Sequence, residues 1–311
     1  MRPRIALVPA IAVSLIAGPA RAALAQPWVP PAGTGLVTVA AQRIDHTGHR
    51  LTDGTLIHQG MSLNTSLFVD VDYAVSDRWM LSVALPYVFG KYTDPSPPPP
   101  FVPFLPVDEC RCWNSGPQDF QFAASYNLIN GPFGLTSSVS TVLPSHGYTY
   151  RGESVLGRHL RELLFTVDAG RRLDAITDRL SIAGQYSYAV VERVLDIPNN
   201  RSSATVSASY RVGRRILTHG LVRWQRTHGG LRAGSLPPAT LLPPGEIDSP
   251  EKLEQHDRLL RDNSTHVGGG ASYDFDRFEL FASYLAFVDG TDTHAGRAVT
   301  AGISVPFTLR R

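Results

Sequence analysis

Two cysteines, Cys110 and Cys112, are the residues whose type and spacing most directly suggest chemistry. In a chain exported to an oxidising compartment, such a close pair forms a local disulfide by default. The single intervening residue makes that ring small, so binding of a metal ion by both thiolates and a loop histidine is the alternative. We expect the disulfide and no metal site.

The ten histidines are scattered and match no common ligand or catalytic spacing. The sequence contains no His-x-x-x-His pair, no Cys-x-x-Cys motif and no glycine-rich phosphate loop. A serine, a histidine and an aspartate brought together by folding would escape this test. The motifs therefore favour a protein that is not an enzyme and that uses no cofactor.

The composition argues against several classes of protein. Of the 311 residues, 43% are hydrophobic and 18% charged, and 29 Lys and Arg nearly balance 27 Asp and Glu. A nucleic-acid-binding domain has an excess of basic residues, and a disulfide scaffold has more cysteines. Beyond the N-terminal region, no apolar run reaches the length of a membrane-spanning helix. A strand-rich chain remains, either in water or in a membrane.

The N-terminus has the pattern of a secretory signal peptide. A short basic start, Met1–Arg4, precedes the apolar stretch Ile5–Ala20, and small residues follow it. Two Ala-x-Ala cleavage patterns occur, and we favour the second, which is cleaved between Ala25 and Gln26. The alternative is an uncleaved anchor helix, for which the stretch is short and contains two prolines. Residues 1–25 are therefore predicted to be removed on export.

Along the rest of the chain, apolar residues alternate with small or polar ones. A period of two places successive side chains on opposite faces of a β-strand. Twelve segments have this pattern, and each is long enough to cross a bilayer when tilted. They lie near Leu36–Ile44, Met61–Tyr73, Trp79–Phe89, Phe120–Leu128, Phe133–Leu143, Leu163–Ala169, Leu180–Val190, Ala204–Tyr210, Ile216–Trp224, Val267–Phe275, Phe278–Tyr284 and Val299–Leu309.

The predicted connections alternate strictly between short and long. The short ones are Val75–Arg78, Ile129–Pro132, Asp174–Asp178, Gly213–Arg215 and Asp274–Arg277. The long ones lie near Asp45–Gly60, Lys91–Pro117, Ser145–Arg158, Glu192–Arg201, Thr227–Asn263 and Asp289–Ala298. A soluble sandwich has no reason to sort its loops in this way, whereas an up-and-down barrel in a membrane does.

The predicted fold is therefore all-β, a 12-stranded antiparallel up-and-down transmembrane β-barrel with short periplasmic turns and long extracellular loops. Hydrocarbon offers the backbone no hydrogen-bond partner, so all twelve strands must be paired on both edges. In this division of the chain, residues 26–33 are a periplasmic N-terminal segment and residues 34–311 are the barrel. Aromatic residues near the short turns fit a girdle at the lipid headgroups.

At Ser76-Asp77-Arg78, Ala84-Leu85-Pro86 and Val142-Leu143-Pro144, among other stretches, the sequence resembles the outer-membrane family named for the meta-pathway of phenol degradation. The resemblance implies a barrel that passes small, often aromatic or hydrophobic, compounds across the outer membrane. The chain departs from the family pattern at Gly116-Pro117-Gln118-Asp119, where Gly-x-Gly-Asp is favoured. The matching stretches are Ser76-Asp77-Arg78, Ala84-Leu85-Pro86, Ser115 to Leu128, Val142-Leu143-Pro144 and Arg171-Arg172-Leu173.

The face opposite the apolar one is rich in small side chains, such as Ser203, Thr205 and Ser207, so a ring of twelve strands is predicted to enclose a passage. Its charges are sparse and of both signs, which does not predict selectivity by a ring of one sign. The alternative is that the apolar interior residues only fill the lumen. The candidate residues of the solute path are Phe68, Asp70, Asp72, Glu162, Asp168, His219, Arg223, His266, Phe281 and Phe287.

We therefore expect a bacterial outer-membrane channel for passive passage of small, hydrophobic or aromatic solutes. Its expected partners are outer-membrane lipid and a small-molecule solute, with no nucleic acid. The alternative is a structural surface protein with a closed lumen, whose loops bind a partner. An outer-membrane phospholipase is disfavoured because the His-x-Ser spacing of those enzymes is absent. The segment Pro250 to Arg261, with Leu253, Leu259 and Leu260, is predicted to form a short amphipathic helix, either folded over the mouth as a lid or simply solvated.

Overall fold

The computed structural model describes residues 27–58, 61–94, 110–150, 154–232 and 250–309. The predicted signal peptide and its cleavage site lie outside these residues, as does most of the connection after residue 94. The strands are β1 (Thr34–Arg50), β2 (Leu56–Ile57), β3 (Ser62–Ala74), β4 (Trp79–Tyr92), β5 (Trp113–Pro117), β6 (Phe120–Ile129), β7 (Phe133–Leu143), β8 (Glu162–Arg172), β9 (Leu180–Val191), β10 (Asn199–Val212), β11 (Ile216–Gly229), β12 (Asn263–Asp274), β13 (Glu279–Thr291) and β14 (Thr293–Thr308).

The strands form one closed antiparallel ring. Each long strand pairs with its neighbours in chain order, and β14 pairs with β1 from Thr34 opposite Thr308 to Arg50 opposite Thr293. The short strands β2 and β5 extend the edges of β1 and β4. Twelve long strands therefore make the barrel, and the predicted 12-stranded antiparallel β-barrel is confirmed.

Five short turns lie at one end of the barrel, called the turn end here. They cover residues 75–78, 130–132, 173–179, 213–215 and 275–278, close to the predicted positions. Their sequences explain the tight reversals: the Ser76 hydroxyl accepts hydrogen bonds from the backbone N–H groups of Arg78 and Trp79. Asp276 adopts a φ of 68°, a conformation that aspartate tolerates better than most residues.

The opposite end, called the loop end, carries the longer connections. One of these was predicted wrongly, because Asp289–Ala298 is almost entirely strand. There β13 continues along β12 to Thr291, and β14 begins along β1 at Thr293, with only Asp292 between them. The polar residues of this stretch favour a loop. However, β13 pairs with β12 and β14 pairs with β1 over this stretch, and these pairings keep both strands extended.

Helix is confined to two short pieces near the loop end, α1 (Pro250–Glu254) and α2 (His256–Leu259). They fall within the segment predicted to be a short helix, and Leu259 is fully buried. Among the described residues, no helix has the length and apolar character needed to cross a membrane.

The outer face of the barrel is apolar around its circumference. Large side chains that are exposed by 40% or more include Leu81, Phe165, Val206 and Val299 on four different strands. A soluble monomer rarely exposes so large a continuous apolar surface. Aromatic pairs lie at the turn end of this surface, with the rings of Trp79 and Tyr126 at 4.9 Å. The pattern of alternation thus separates an apolar exterior from an enclosed interior.

Candidate functional site: the lumen and its two mouths

The residues predicted to line the solute path all lie on the enclosed side of the strands. Of these, Asp72 and Phe287 are half-buried and the others are buried. Two of the acidic residues accept hydrogen bonds, Asp72 from Ser82 and Asp168 from Gln185. The placement agrees with the alternation, whereas a role in solute passage stays a prediction. The buried ones are Phe68, Asp70, Glu162, Asp168, His219, Arg223, His266 and Phe281.

One sector of the lumen wall is apolar. Its residues, called the apolar patch here, lie on β1, β11, β13 and β14 and contact one another. Intervening glycines give them room: a Cβ at Gly302 would lie 2.6 Å from the Phe281 ring, and one at Gly268 2.8 Å from Leu285. The patch consists of Ala40, Ile44, Leu221, Phe281, Leu285 and Ala298.

A buried histidine, His219, lies beside the apolar patch without a hydrogen-bond partner in the described part of the chain. Neither ring nitrogen of His219 makes a hydrogen bond within the described structure. The Nε2 atom of His266 on the neighbouring strand is also unpartnered, and its ring meets Phe287 edge-on at 5.7 Å. Buried polar groups usually have a partner in proteins or in ordered water. These nitrogens therefore offer polar contacts inside an otherwise apolar stretch of the lumen.

The N-terminal segment lies across the mouth at the turn end. It enters β1 beside Gly33, whose N–H donates to the Ala74 carbonyl, and it reaches Pro27 on the far side. There the Pro27 carbonyl accepts hydrogen bonds from Asn127 at 2.8 Å and Thr136 at 2.9 Å. Since β7 lies four of the twelve long strands round the ring from β1, and Val29 packs against Ala74 and Met80 on strands between them, the segment spans about a third of the rim.

Two glycines on the lumen wall form the slot that receives this segment. The Trp28 indole N–H donates to the Gly131 carbonyl at 2.8 Å. A Cβ at Gly134 would lie 2.7 Å from Trp28 Nε1, and one at Gly170 would lie 2.6 Å from Pro27. The stretch predicted as a periplasmic segment, 26–33, is therefore seen from residue 27 onward inside the mouth. Sequence reasoning left open whether it fills the lumen.

At the loop end, residues 144–150 and 154–161 lie at the other mouth together with the two helices, and these segments contact one another. The Arg258 guanidinium donates to the backbone carbonyls of Arg158 at 3.0 Å and His159 at 2.6 Å. It also lies 4.3 Å from the centre of the Tyr150 ring. Leu259 packs against Leu231, which anchors α2 to the end of β11. Chain segments thus lie in both mouths of the barrel.

A half-buried tyrosine, Tyr148, fixes the connection that follows β7 to the wall. The Tyr148 hydroxyl donates to Asp119, and the His159 N–H donates to the same hydroxyl at 3.0 Å. Asp119 lies between β5 and β6, and burial raises the pKa of its carboxyl to about 6. Burial also raises the pKa of the Tyr148 phenol, so that it remains a donor at neutral pH.

Five charged groups near the loop end lie close enough to interact electrostatically. We call them the arginine cluster: Arg158, Arg201, Arg223, Glu162 and Asp262. Arg201 pairs with Glu162, and both are buried. Burial, followed by the nearby charge of Arg201, lowers the pKa of Arg158 to about 10. Sequence reasoning found Glu162 and Arg223 but missed the other three.

A signal for part of the cluster was present in the sequence. Arg201 lies four residues before the interior Thr205, so its side chain has interior parity on β10. Arg158 and Asp262 lie in connections, where strand parity gives no direction. Their positions depend on the packing of the loop end, which periodicity does not describe.

The two cysteines form a disulfide in the structure, across the single residue Arg111. Among the described residues, no group of three or more His, Cys, Asp or Glu side chains is placed to hold a metal ion. The disulfide lies just before β5, in the connection that carries this edge strand to the barrel.

Of the comparisons with known proteins, the one with solved structures finds proteins similar to this chain. No protein-family model and no curated protein sequence matches the chain. Among solved structures it resembles the COG4313 outer membrane channel from Pseudomonas putida F1, with 11% identity and a TM-score of 0.67, over 90% of this chain and 98% of that one. It also resembles the beta domain of the Bordetella autotransporter Brka, with 12% identity and a TM-score of 0.50, over 88% and 100% of the two chains. In its fold, this chain is a closed 12-stranded β-barrel of the outer-membrane type.

Proposed function

We propose that the protein is an outer-membrane channel for the passive passage of small solutes, with a preference for hydrophobic or aromatic ones. The observation that carries the proposal is the difference between the two faces of the barrel. The outer face is apolar, and the inner face carries polar groups beside the apolar patch. The fold it shares with an outer membrane channel supports the same function. The earlier resemblance to the phenol-degradation family agrees with this solute class.

The proposed mechanism is diffusion along the lumen, without a chemical step. Phe281 and the other patch residues would give an aromatic solute weak apolar contacts. The unpartnered nitrogens of His219 and His266 would meet its polar substituents. In this proposal the protein is not an enzyme, the turn end faces the periplasm, and the loop end faces outward.

A second candidate, a structural surface barrel with a closed lumen, is favoured by one observation. Chain lies in both mouths: residues 27–33 at the turn end, and residues 144–150 and 154–161 with α1 and α2 at the loop end. The lumen-facing side chains are mostly buried, so the passage is narrower than the small residues of the sequence suggest. In a channel these segments must leave a gap or move aside at both mouths, whereas a structural barrel needs neither.

Flux into liposomes separates the two candidates. The full mature chain is refolded into phospholipid vesicles, and swelling is followed with serine or phenylalanine, two zwitterions that a bilayer excludes. A channel with an apolar path admits both, and phenylalanine enters at least as fast as serine despite its larger size. Faster entry of serine rejects the aromatic preference. Entry of neither solute above the rate of protein-free vesicles rejects the channel and favours the closed barrel.

A further inference from the structure

We infer that the arginine cluster and the apolar patch together form a binding site for an amphiphilic organic monoanion, such as the carboxylate of an aromatic acid. In this site the anionic group lies among Arg158, Arg201 and Arg223, and the ring lies on the patch. The inference rests on the channel function proposed above, since it names a class of solute for the same lumen.

The charges of the cluster do not balance. Three guanidinium groups face two carboxylates, those of Glu162 and Asp262. Both oxygens of Asp262 already accept hydrogen bonds from neutral donors, from Gln225 at 2.7 Å and from Thr293 at 2.6 Å. Among these five groups positive charges exceed negative ones by one; Arg223 has a further interaction of its own, so the inference rests on Arg158 and Arg201.

Two of the guanidinium groups have N–H donors without an acceptor in the described structure. The Nη1 atoms of Arg158 and Arg201 are buried and make no hydrogen bond within the described structure. The second terminal nitrogen of each guanidinium group is held in place. Arg158 Nη2 donates to the Leu260 carbonyl at 3.1 Å, and Arg201 Nη2 pairs with Glu162. Buried charged donors without an acceptor are costly, and a carboxylate is the acceptor that suits guanidinium best. The fixed orientation of these donors makes a preformed site.

The apolar patch begins next to the cluster. Arg223 and Leu221 lie two residues apart on the same face of β11, which is roughly 7 Å along the strand. Leu221 contacts the patch that includes Phe281 and Leu285. An aromatic ring joined to a carboxylate has about this length. Inorganic phosphate or chloride would use the arginines but leave the patch without a role, so the observations favour an amphiphilic anion.

Equilibrium dialysis tests this inference without requiring transport. Labelled benzoate and its neutral isostere benzamide are dialysed at pH 8 against the folded chain in detergent micelles, with empty micelles as the blank. We expect benzoate to bind saturably and at least about tenfold more tightly than benzamide, since a charge-assisted pair is added. Equal affinities for the two probes would overturn the site, and this comparison needs no variant.

Variants then locate the site. Arg158→Gln is expected to weaken benzoate binding about tenfold and leave benzamide binding unchanged. The double variant Glu162→Gln with Arg201→Gln removes an ion pair without leaving a buried charge alone, and it should weaken benzoate binding similarly. Arg214→Gln in the exposed 213–215 turn is the matched control and should change nothing. Equal weakening by the control, or no change in either cluster variant, would refute the assignment.

The two proposals fail separately. Benzoate binding in a barrel that admits no solute leaves the site intact and rejects the channel. Solute flux without preferential benzoate binding leaves the channel intact and rejects the site.

Discussion

Replacing Trp28 by Ala is expected to raise the single-channel conductance about twofold or more, because it releases the segment that crosses the turn-end mouth. The side chain donates one hydrogen bond to Gly131, and its indole Nε1 fits against Gly134 on the lumen wall. Without it, the segment keeps the Pro27 carbonyl contacts with Asn127 and Thr136 and the packing of Val29 against Ala74 and Met80, but it loses its side-chain anchor on the far wall. Conductance is measured in planar bilayers at fixed salt concentration.

The matched control for this result is Trp113→Ala. Trp113 is 52% exposed on β5, far from the turn end, so its loss should leave the conductance unchanged. The variant Gly170→Leu fills the slot from the opposite side and is expected to raise the conductance as Trp28→Ala does. If both slot variants conduct like the unaltered protein, residues 27–33 do not limit the passage.

Replacing Val139 by Arg is expected to destabilise the barrel by about 2–4 kcal/mol in lipid, the cost of a cation on the lipid face near mid-membrane. Val139 lies near the middle of β7, is 46% exposed on the outer face and pairs with Ala124 and Phe165. Neither neighbour offers a hydrogen-bond acceptor from its side chain. The free energy of unfolding is measured by denaturant titration in phospholipid vesicles.

The adjacent position supplies the control. Ser138 lies on the lumen side of the same strand, opposite Ser125 and Thr166, where an arginine has polar neighbours. Ser138→Arg is therefore expected to cost less than about 1 kcal/mol, within the range of substitutions away from packed sites. Equal destabilisation by the two variants would mean that the two faces of β7 do not differ in surroundings.

The ring could be predicted from the sequence because its determinants are local. Alternation fixes which face of each strand is apolar, and serine, aspartate and glycine at the turns fix the reversals. The interior placement of Phe68, Glu162 and Phe281 followed from the same parity, and the structure agrees. Strand pairing then follows from the chain order, because neighbouring strands joined by short turns pair with each other.

The covers of the two mouths could not be predicted in this way. Pro27 and Trp28 precede the first strand, and the residues that bind them, among them Asn127 and the slot glycines Gly134 and Gly170, are distant in sequence. Arg158 and Asp262 reach the lumen through connections that carry no periodicity. Contacts between loops depend on tertiary packing, so the residues that make them can be recognised only once the structure of the barrel is known.

Collision measurements on spin labels along β10 test the central claim most directly, namely that alternate residues face lipid and lumen. Labels are placed one at a time from Thr205 to Tyr210, in a background with serine at both cysteine positions, and the protein is folded into vesicles. We predict frequent collisions with oxygen at 206, 208 and 210, infrequent ones at 205, 207 and 209, and thus a period of two. A uniform collision rate along the strand, or oxygen contact no greater on the apolar face, would contradict the account.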